Sequence, residues 1–155
     1  MPRNRAFSLI ELIIVIVIIG VIAGMAIPRL SRGASNAGAA ALRGDLAVLR
    51  SAIEQYRAEH EGTLPDVTNF VDQLTRYSNL AGDTFADAPN TGTGIIYGPY
   101  LREVPPVPVG SKKGIRVVED SSAATTGWLY DPTTGAISAD LGTETDNDGV
   151  QYSTY

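Results

Sequence analysis

The sequence predicts an α+β protein in which a long N-terminal helix packs against a small antiparallel sheet. Three observations predict this class. Residues 7–30 form an apolar run, residues 39–56 repeat apolar side chains at helical spacing, and residues 127–139 place two short β-type runs around a turn with Pro and Gly. The length of 155 residues fits one domain, and about a hundred residues remain once the helix is set aside.

The apolar run is the first element. Residues 12–27 contain no ionisable side chain, and as a helix residues 7–30 cover about 36 Å, against a hydrocarbon core of about 30 Å. Arg3 and Arg5 precede the run without any acid and favour a cytoplasmic N-terminus. We therefore expect a single membrane-spanning segment over residues 7–30, with the remainder of the chain on the opposite side.

Residues 5–12, Arg-Ala-Phe-Ser-Leu-Ile-Glu-Leu, and the apolar run that follows resemble the N-terminal signature of type IV pilins and type II secretion pseudopilins. The resemblance implies a leader of residues 1–6 that a prepilin peptidase removes between Ala6 and Phe7, followed by methylation of the Phe7 amine. The family usually has Gly before the cut, so Ala6 is a departure from its pattern.

Glu11 lies inside the leading edge of the apolar run and has two interpretations. With Ser8 it fits the S-x-x-E capping box of an ordinary helix start. Alternatively, a carboxylate in apolar surroundings needs a cation, and in a bundle of staggered identical helices the Phe7 amine of a neighbour is that cation. The second interpretation makes Phe7 and Glu11 the subunit-assembly residues.

Gly20 and Pro28 fall where pilins tend to carry helix-breaking residues. Proline removes a backbone donor and glycine weakens a helix, so we expect a kink or local break within residues 20–28. This stretch either extends when subunits pack into a filament or is a tolerated kink; the sequence does not decide between them.

Residues 31–61 are the predicted amphipathic half of the same helix. Small residues over 31–41 suit either a linker or close helix packing. Beyond them one apolar stripe of the helix is predicted to face a core. Gly62 and Pro65 predict the end of the helix. The only histidine, His60, is predicted at the surface of the last turn. The stripe consists of Leu42, Leu46, Leu49, Ile53 and Tyr56.

Residues 62–155 are the predicted globular domain. We expect a short helix near residues 70–77, a turn-rich loop over 80–94 and an extended, proline-rich segment over 95–109. Residues 115–118, 128–130 and 136–138 should form a three-stranded antiparallel sheet on the helical stripe. A small basic patch is expected to be solvated; it consists of Lys112, Lys113 and Arg116.

The acidic loop, residues 144–149, reads Glu-Thr-Asp-Asn-Asp-Gly and partly matches a calcium loop, although it lacks the later acid of an EF-hand. By resemblance, major pseudopilins bind calcium in this region and commonly lack the disulfide of type IV pilins, and this chain has no cysteine. The resemblance therefore implies a calcium site at Asp146 and Asp148, with Glu144 as a candidate third ligand. The alternative is a solvated acidic tail.

The sequence favours a structural role. The resemblance implies a subunit stored in a bacterial inner membrane, with a periplasmic or extracellular domain, that polymerises into a pseudopilus or pilus-like filament in the periplasm or on the cell surface. Its implied partners are copies of itself, other pilins or pseudopilins, the prepilin peptidase, membrane lipid before assembly and an ATPase-driven assembly machine.

A minor pilin or a membrane-anchored surface-binding or adhesion module is the alternative. A membrane-anchored enzyme is disfavoured, because no group of catalytic residue types and no organic-cofactor motif is found. The net charge of −5 argues against a nucleic-acid partner.

Overall fold

The computed structural model describes residues 8–155, apart from the side chains of residues 25–32. One α-helix, α1 (Leu9–Glu59), extends for 51 residues, about 76 Å at the usual rise. It begins after Ser8 and ends at His60, whose N–H donates to the Tyr56 carbonyl oxygen. Gly62 follows at φ +85°, a left-handed conformation that glycine adopts at low cost. The predicted end near residue 61 is therefore close to the observed one.

The helix continues through Gly20 and Pro28. All backbone positions of Leu9–Glu59 are helical, so no break interrupts the helix in this single chain, and the predicted kink stays a prediction. A helix can accommodate proline by giving up one backbone hydrogen bond while the turns on both sides remain formed. The predicted role of these residues in filament packing remains a prediction.

The predicted stripe on the second half of α1 is confirmed as the centre of the core. Its five side chains are at most 1% exposed, and Ala39 and Ala52 of the same helix are buried in the same core. The core side chains opposite α1 come from the rest of the domain and include Phe70, Leu74, Val107, Trp128, Tyr130 and Ile137. The α+β class is confirmed.

Two small sheets lie in the globular domain. The first pairs β1 (Tyr77–Ser78) with β2 (Phe85–Ala86) in antiparallel fashion, so the expected loop over residues 80–94 contains a short strand. The second has the order β3-β4-β5, formed by β3 (Val118–Glu119), β4 (Trp128–Tyr130) and β5 (Ile137–Ala139). The predicted hairpin is confirmed, with Tyr130 opposite Ile137.

The predicted all-antiparallel arrangement of the second sheet is wrong, because β3 is parallel to β4 and Val118 lies opposite Trp128. Residues 120–127 carry the chain back alongside β3 before β4 begins. Gly127 makes this possible: a Cβ there would lie 2.8 Å from the Ile115 carbonyl oxygen. The amides of Gly127 and Trp128 both donate to the Val117 carbonyl oxygen and hold the return in place.

The remaining elements lie close to where the sequence predicts them. A short helix, α2 (Phe70–Thr75), lies where one was expected, and a 3-10 turn occupies Tyr152–Thr154. Residues 95–109 are extended and contribute no named strand to the described part of the chain. Their buried valines pack into the core, and the Pro105 carbonyl oxygen accepts the Trp128 Nε1–H at 2.9 Å.

The predicted surface position of His60 needs correction. His60 is buried at 1% exposure, because the domain folds over the last turn of α1. Lys113 and Arg116 of the basic patch are exposed, as predicted, whereas Lys112 is partly buried. Lys112 forms an ion pair with Asp140 at 3.3 Å, and Arg116 forms one with Glu103 at 2.8 Å.

Candidate functional site

The described N-terminal part of α1, residues 9–24, exposes its apolar side chains on all sides. Each large apolar residue from Leu9 to Ile22 is between 46% and 75% exposed. A helix that is apolar all round is ordinarily buried in a large core or a membrane. The second half of the same helix buries its apolar stripe against the domain, so the two halves of α1 differ sharply in what covers them.

Among the residues that the structure describes, no helix is both long and apolar enough to cross a membrane. The predicted span over residues 7–30 is described only in part, since Phe7 and the side chains of residues 25–32 lie outside the description. The transmembrane character of this segment therefore remains a prediction.

Glu11 closes a capping box with Ser8. The Ser8 backbone N–H donates to Glu11 Oε2 at 2.9 Å, and the Ser8 side chain faces the Glu11 backbone in the reciprocal arrangement. This is the local interpretation of Glu11, and it applies to one chain by itself. Ala6 and Phe7, the predicted processing residues, lie outside the described residues, as does any pairing of Glu11 with a Phe7 amine.

Gly20 has open space around it. A Cβ at this position would meet no atom within 4 Å, so no contact within the described chain requires glycine there. Pro28 lies in the helical backbone, but its side chain is outside the description. If Gly20 serves packing, the partner surface must come from outside this single chain.

Asp146, the central residue of the acidic loop, is surrounded by hydrogen-bond donors. Its side chain is only 5% exposed. Oδ1 accepts the backbone N–H groups of Asp148 and Val150, each at 2.9 Å, and Oδ2 accepts from the Tyr155 hydroxyl and from Arg43 Nη2. The Tyr155 hydrogen bond, together with the backbone donors and the Arg43 charge, lowers the pKa of Asp146 below its usual value.

The other two predicted calcium ligands do not join Asp146. Glu144 accepts hydrogen bonds from the Ser111 amide and hydroxyl, and Asp148 is exposed. Within the described part of the chain, no three His, Cys, Asp or Glu side chains are grouped so as to hold a metal ion. Calcium needs several free oxygen atoms directed at one point, and the arrangement described does not fit that requirement. The calcium site therefore stays a prediction.

Arg43 and Arg50 are functional candidates that sequence reasoning missed. Arg50 Nη2 donates to the main-chain oxygens of Ile137 at 3.2 Å and Tyr155 at 2.7 Å, and the Arg43 guanidinium lies 4.0 Å from the centre of the Tyr155 ring. The sequence placed both arginines off the apolar stripe. Their spacing of seven residues, which puts them on one face of α1, was an available signal.

An aromatic cluster at the end of α1 was also missed. His60 stacks on Tyr56 with ring centres 3.9 Å apart, and Tyr97 and Tyr100 lie beside it. An open cleft of about 620 Å³ adjoins the cluster and includes the exposed side chains of Leu80 and Ile96 in its lining. The signal in the sequence was the four-residue spacing of Tyr56 and His60, which places both rings on the buried stripe.

Comparison with known proteins gives two matches. Residues 1–27 match the family described as "Prokaryotic N-terminal methylation motif". A stretch of 60 residues is 35% identical to the type II secretion system core protein G of Klebsiella pneumoniae. Both matches agree with the resemblance of the N-terminal signature to pilins and pseudopilins. No solved structure gives a significant match.

The similarity to the secretion protein covers 39% of this chain and 43% of the relative's own length. The chain therefore spans less than half of that relative. The observed architecture, one N-terminal helix with small antiparallel and mixed sheets, is consistent with a pilin-like fold.

Proposed function

We propose that this chain is a structural, non-catalytic subunit of a type II secretion pseudopilus or a type IV pilus-like filament. In this proposal residues 1–6 are a leader that prepilin peptidase removes, and the Phe7 amine is methylated. The N-terminal half of α1 holds the subunit in the bacterial inner membrane, with the N-terminus cytoplasmic and the domain periplasmic or extracellular. An ATPase-driven machine then assembles copies of the chain with other pilins or pseudopilins.

The observation that carries the proposal is the uncovered apolar half of α1. Side chains such as Ile16 and Ile19 are about 60% exposed, and each stabilises a state in which it is removed from water by about 1.5–3 kcal/mol. Lipid covers such a helix in a stored subunit, and neighbouring helices cover it in a filament. The same surface therefore supports both states, and the match of residues 1–27 supports a family with this N-terminus.

Glu11 specifies how neighbouring helices align along this surface in the proposed filament. Neighbouring helices that cover Leu9 and Leu12 also take the Glu11 carboxylate away from water, and a desolvated carboxylate is costly without a cation. The capping-box N–H of Ser8 supplies a hydrogen bond but no charge. In the proposed filament, the processed Phe7 amine of the adjacent subunit supplies that charge.

Glu11→Ala tests the proposal against a matched control, Glu54→Ala. Glu54 is an exposed acid on the domain half of α1 whose ion pair with Arg57, at 3.8 Å, is also exposed. The full chain is expressed in a bacterium that carries a type II secretion machine, and sheared filaments are counted by negative-stain microscopy. We expect wild type and Glu54→Ala to form filaments and Glu11→Ala to lose at least nine-tenths of them. Mass spectrometry should find Phe7 as a methylated N-terminus in all three chains.

Filament formation by Glu11→Ala at the wild-type level would contradict the proposed pairing. A mature chain that starts at a residue other than Phe7 would contradict the proposed processing. The two readouts are independent, because a chain can be processed correctly and still fail to assemble.

A minor pilin or surface-binding module is the second candidate, and the open cleft beside His60 favours it. Leu80 and Ile96 expose apolar surface in this cleft at the end of α1 opposite to the apolar half. Immunogold labelling separates the candidates: a major subunit labels the whole filament, whereas a minor one labels only a tip.

A further inference from the structure

We propose that Arg43 supplies the cation of the acidic loop, so that residues 144–155 are held on α1 by a guanidinium and not by a metal ion. Arg43, Asp146 and Tyr155 together are called the Asp146 clasp. The inference concerns the folded domain and does not depend on filament assembly.

The clasp joins three groups in one contact. Arg43 Nη2 lies 3.4 Å from Asp146 Oδ2, and the same oxygen accepts the Tyr155 hydroxyl. The Arg43 guanidinium also lies over the Tyr155 ring, at a distance typical of a cation–π contact. Each member therefore contacts the other two. The cation, Arg43, belongs to α1, and its counter-charge, Asp146, belongs to the acidic loop.

Burial makes compensating partners necessary for the Asp146 carboxylate. The Asp146 side chain is 5% exposed, and a carboxylate so far removed from water is unfavourable unless charge and hydrogen bonds compensate. Two backbone N–H groups occupy Oδ1, and the clasp occupies Oδ2. The carboxylate thus has a full set of partners from this chain alone.

Further contacts hold the same segment against the same face of α1. Arg50 donates to the Tyr155 main-chain oxygen at 2.7 Å, and Asn147 Nδ2 donates to Asn36 Oδ1 at 2.7 Å. Asn36, Arg43 and Arg50 are seven residues apart, so they lie along one face of the helix. The loop is therefore fixed at three points along α1, with the clasp in the middle.

A calcium ion would have to displace this arrangement. At the Asp146 carboxylate it would meet the positive charge of Arg43, and the oxygen atoms it needs already accept N–H and O–H hydrogen bonds. Glu144 is engaged with Ser111 and would have to leave that contact to reach the ion.

The experiment is thermal unfolding of the full chain in detergent micelles, followed by the fluorescence of Trp128. This residue is the single tryptophan and is fully buried. Wild type is measured in millimolar calcium and in a chelator. Arg43→Gln, Asp146→Asn and the double variant form a mutant cycle, and Arg57→Gln is the control, since Arg57 lies on the same helix with an exposed partner.

We expect the melting temperature of wild type to be the same in calcium and in chelator. Arg43→Gln and Asp146→Asn should each lower it by several degrees, Arg57→Gln by no more than a degree, and the double variant by little more than the larger single loss. A calcium-dependent rise that appears only in Arg43→Gln would also support the proposal, because the ion then replaces the missing guanidinium.

A calcium-dependent rise in wild type that Asp146→Asn abolishes would overturn the proposal and establish the calcium site instead. Additive losses in the mutant cycle would overturn it as well. If Arg43→Gln does not fold, the comparison of wild type in calcium and in chelator still decides between the two cations.

Discussion

His60 shows how a residue that the sequence places at a helix end can belong to the core. Its Nδ1 lies 2.8 Å from the Leu80 carbonyl oxygen, and since a carbonyl only accepts, Nδ1 donates in this bond. Nε2 is then free to accept the Ser78 hydroxyl at 3.4 Å. The ring joins the last turn of α1 to the chain around β1 and stacks on Tyr56 at the same time.

Two substitutions separate these contributions of His60. We expect His60→Phe to lower the free energy of unfolding by about 1–3 kcal/mol, because the ring remains but the Leu80 carbonyl loses its donor. His60→Ala should cost about 3–5 kcal/mol, because the stacked ring is lost as well. Urea unfolding followed by Trp128 fluorescence gives both values. Glu54→Ala, the exposed control on the same helix, should change the free energy by less than about 0.5 kcal/mol, and equal losses for the two His60 variants would contradict the stacking contribution.

At the scale of the element, two glycines of α1 differ in the space around them. A Cβ at Gly38 would lie 2.5 Å from Val109 Cγ1, so this glycine allows residues 95–109 to lie directly against the helix. A Cβ at Gly44 would meet no atom within 4 Å. Both are interior helix positions, where glycine is less favourable than alanine by about 1 kcal/mol.

The pair Gly38→Ala and Gly44→Ala therefore makes a matched test of the packing of α1. Gly44→Ala should raise the free energy of unfolding by about 0.5–1 kcal/mol through helix propensity alone. Gly38→Ala should lower it by about 1–3 kcal/mol, because the stiff, buried Val109 side chain must move. Urea unfolding measures both, and a stabilising Gly38→Ala would show that this close approach is not tight in solution.

Across the whole molecule, tyrosine hydroxyls connect the domain to the end of α1 and to the segment that follows it. The Tyr100 hydroxyl donates to Glu59 at 2.7 Å, and the Tyr130 hydroxyl donates to the Pro65 carbonyl oxygen at 3.0 Å. Burial raises the pKa of both phenols well above the usual value, and the hydrogen bond to Glu59 raises that of Tyr100 further. Burial also raises the pKa of Tyr56.

Because these phenols have a higher pKa in the folded state than in the unfolded state, the folded protein loses stability as the pH rises. The stability from these protonated phenols is fully present below the unfolded tyrosine pKa of about 10 and is lost as the pH rises towards the higher folded values. We expect Tyr56, Tyr100 and Tyr130 to ionise only as the protein unfolds, above pH of about 10. Tyrosinate absorbance and Trp128 fluorescence, recorded over the same alkaline titration, check this.

Tyr100→Phe provides the control for that titration. Because it removes one of the three groups, it should make the loss of stability with alkaline pH less steep. Complete tyrosine ionisation while Trp128 remains buried would contradict the expected coupling.

The sequence alone determined the features that depend on local patterns. The long helix, its buried stripe from Leu42 to Tyr56, the short α2 and the hairpin of β4 and β5 follow from periodicity and turn residues, because such patterns act over a few residues. The N-terminal signature belongs to the same class, since it is a contiguous motif that a comparison of sequences confirms.

The tertiary structure decided what depends on contacts between distant residues. The parallel pairing of β3 rests on the approach of Gly127 to Ile115, the burial of His60 rests on Leu80 and Ser78, and the partner of Asp146 is an arginine 103 residues earlier. No local pattern contains these pairings. They exist because packing the domain on α1 removes particular polar groups from water, and each of those groups must then find a partner wherever the fold brings one within reach.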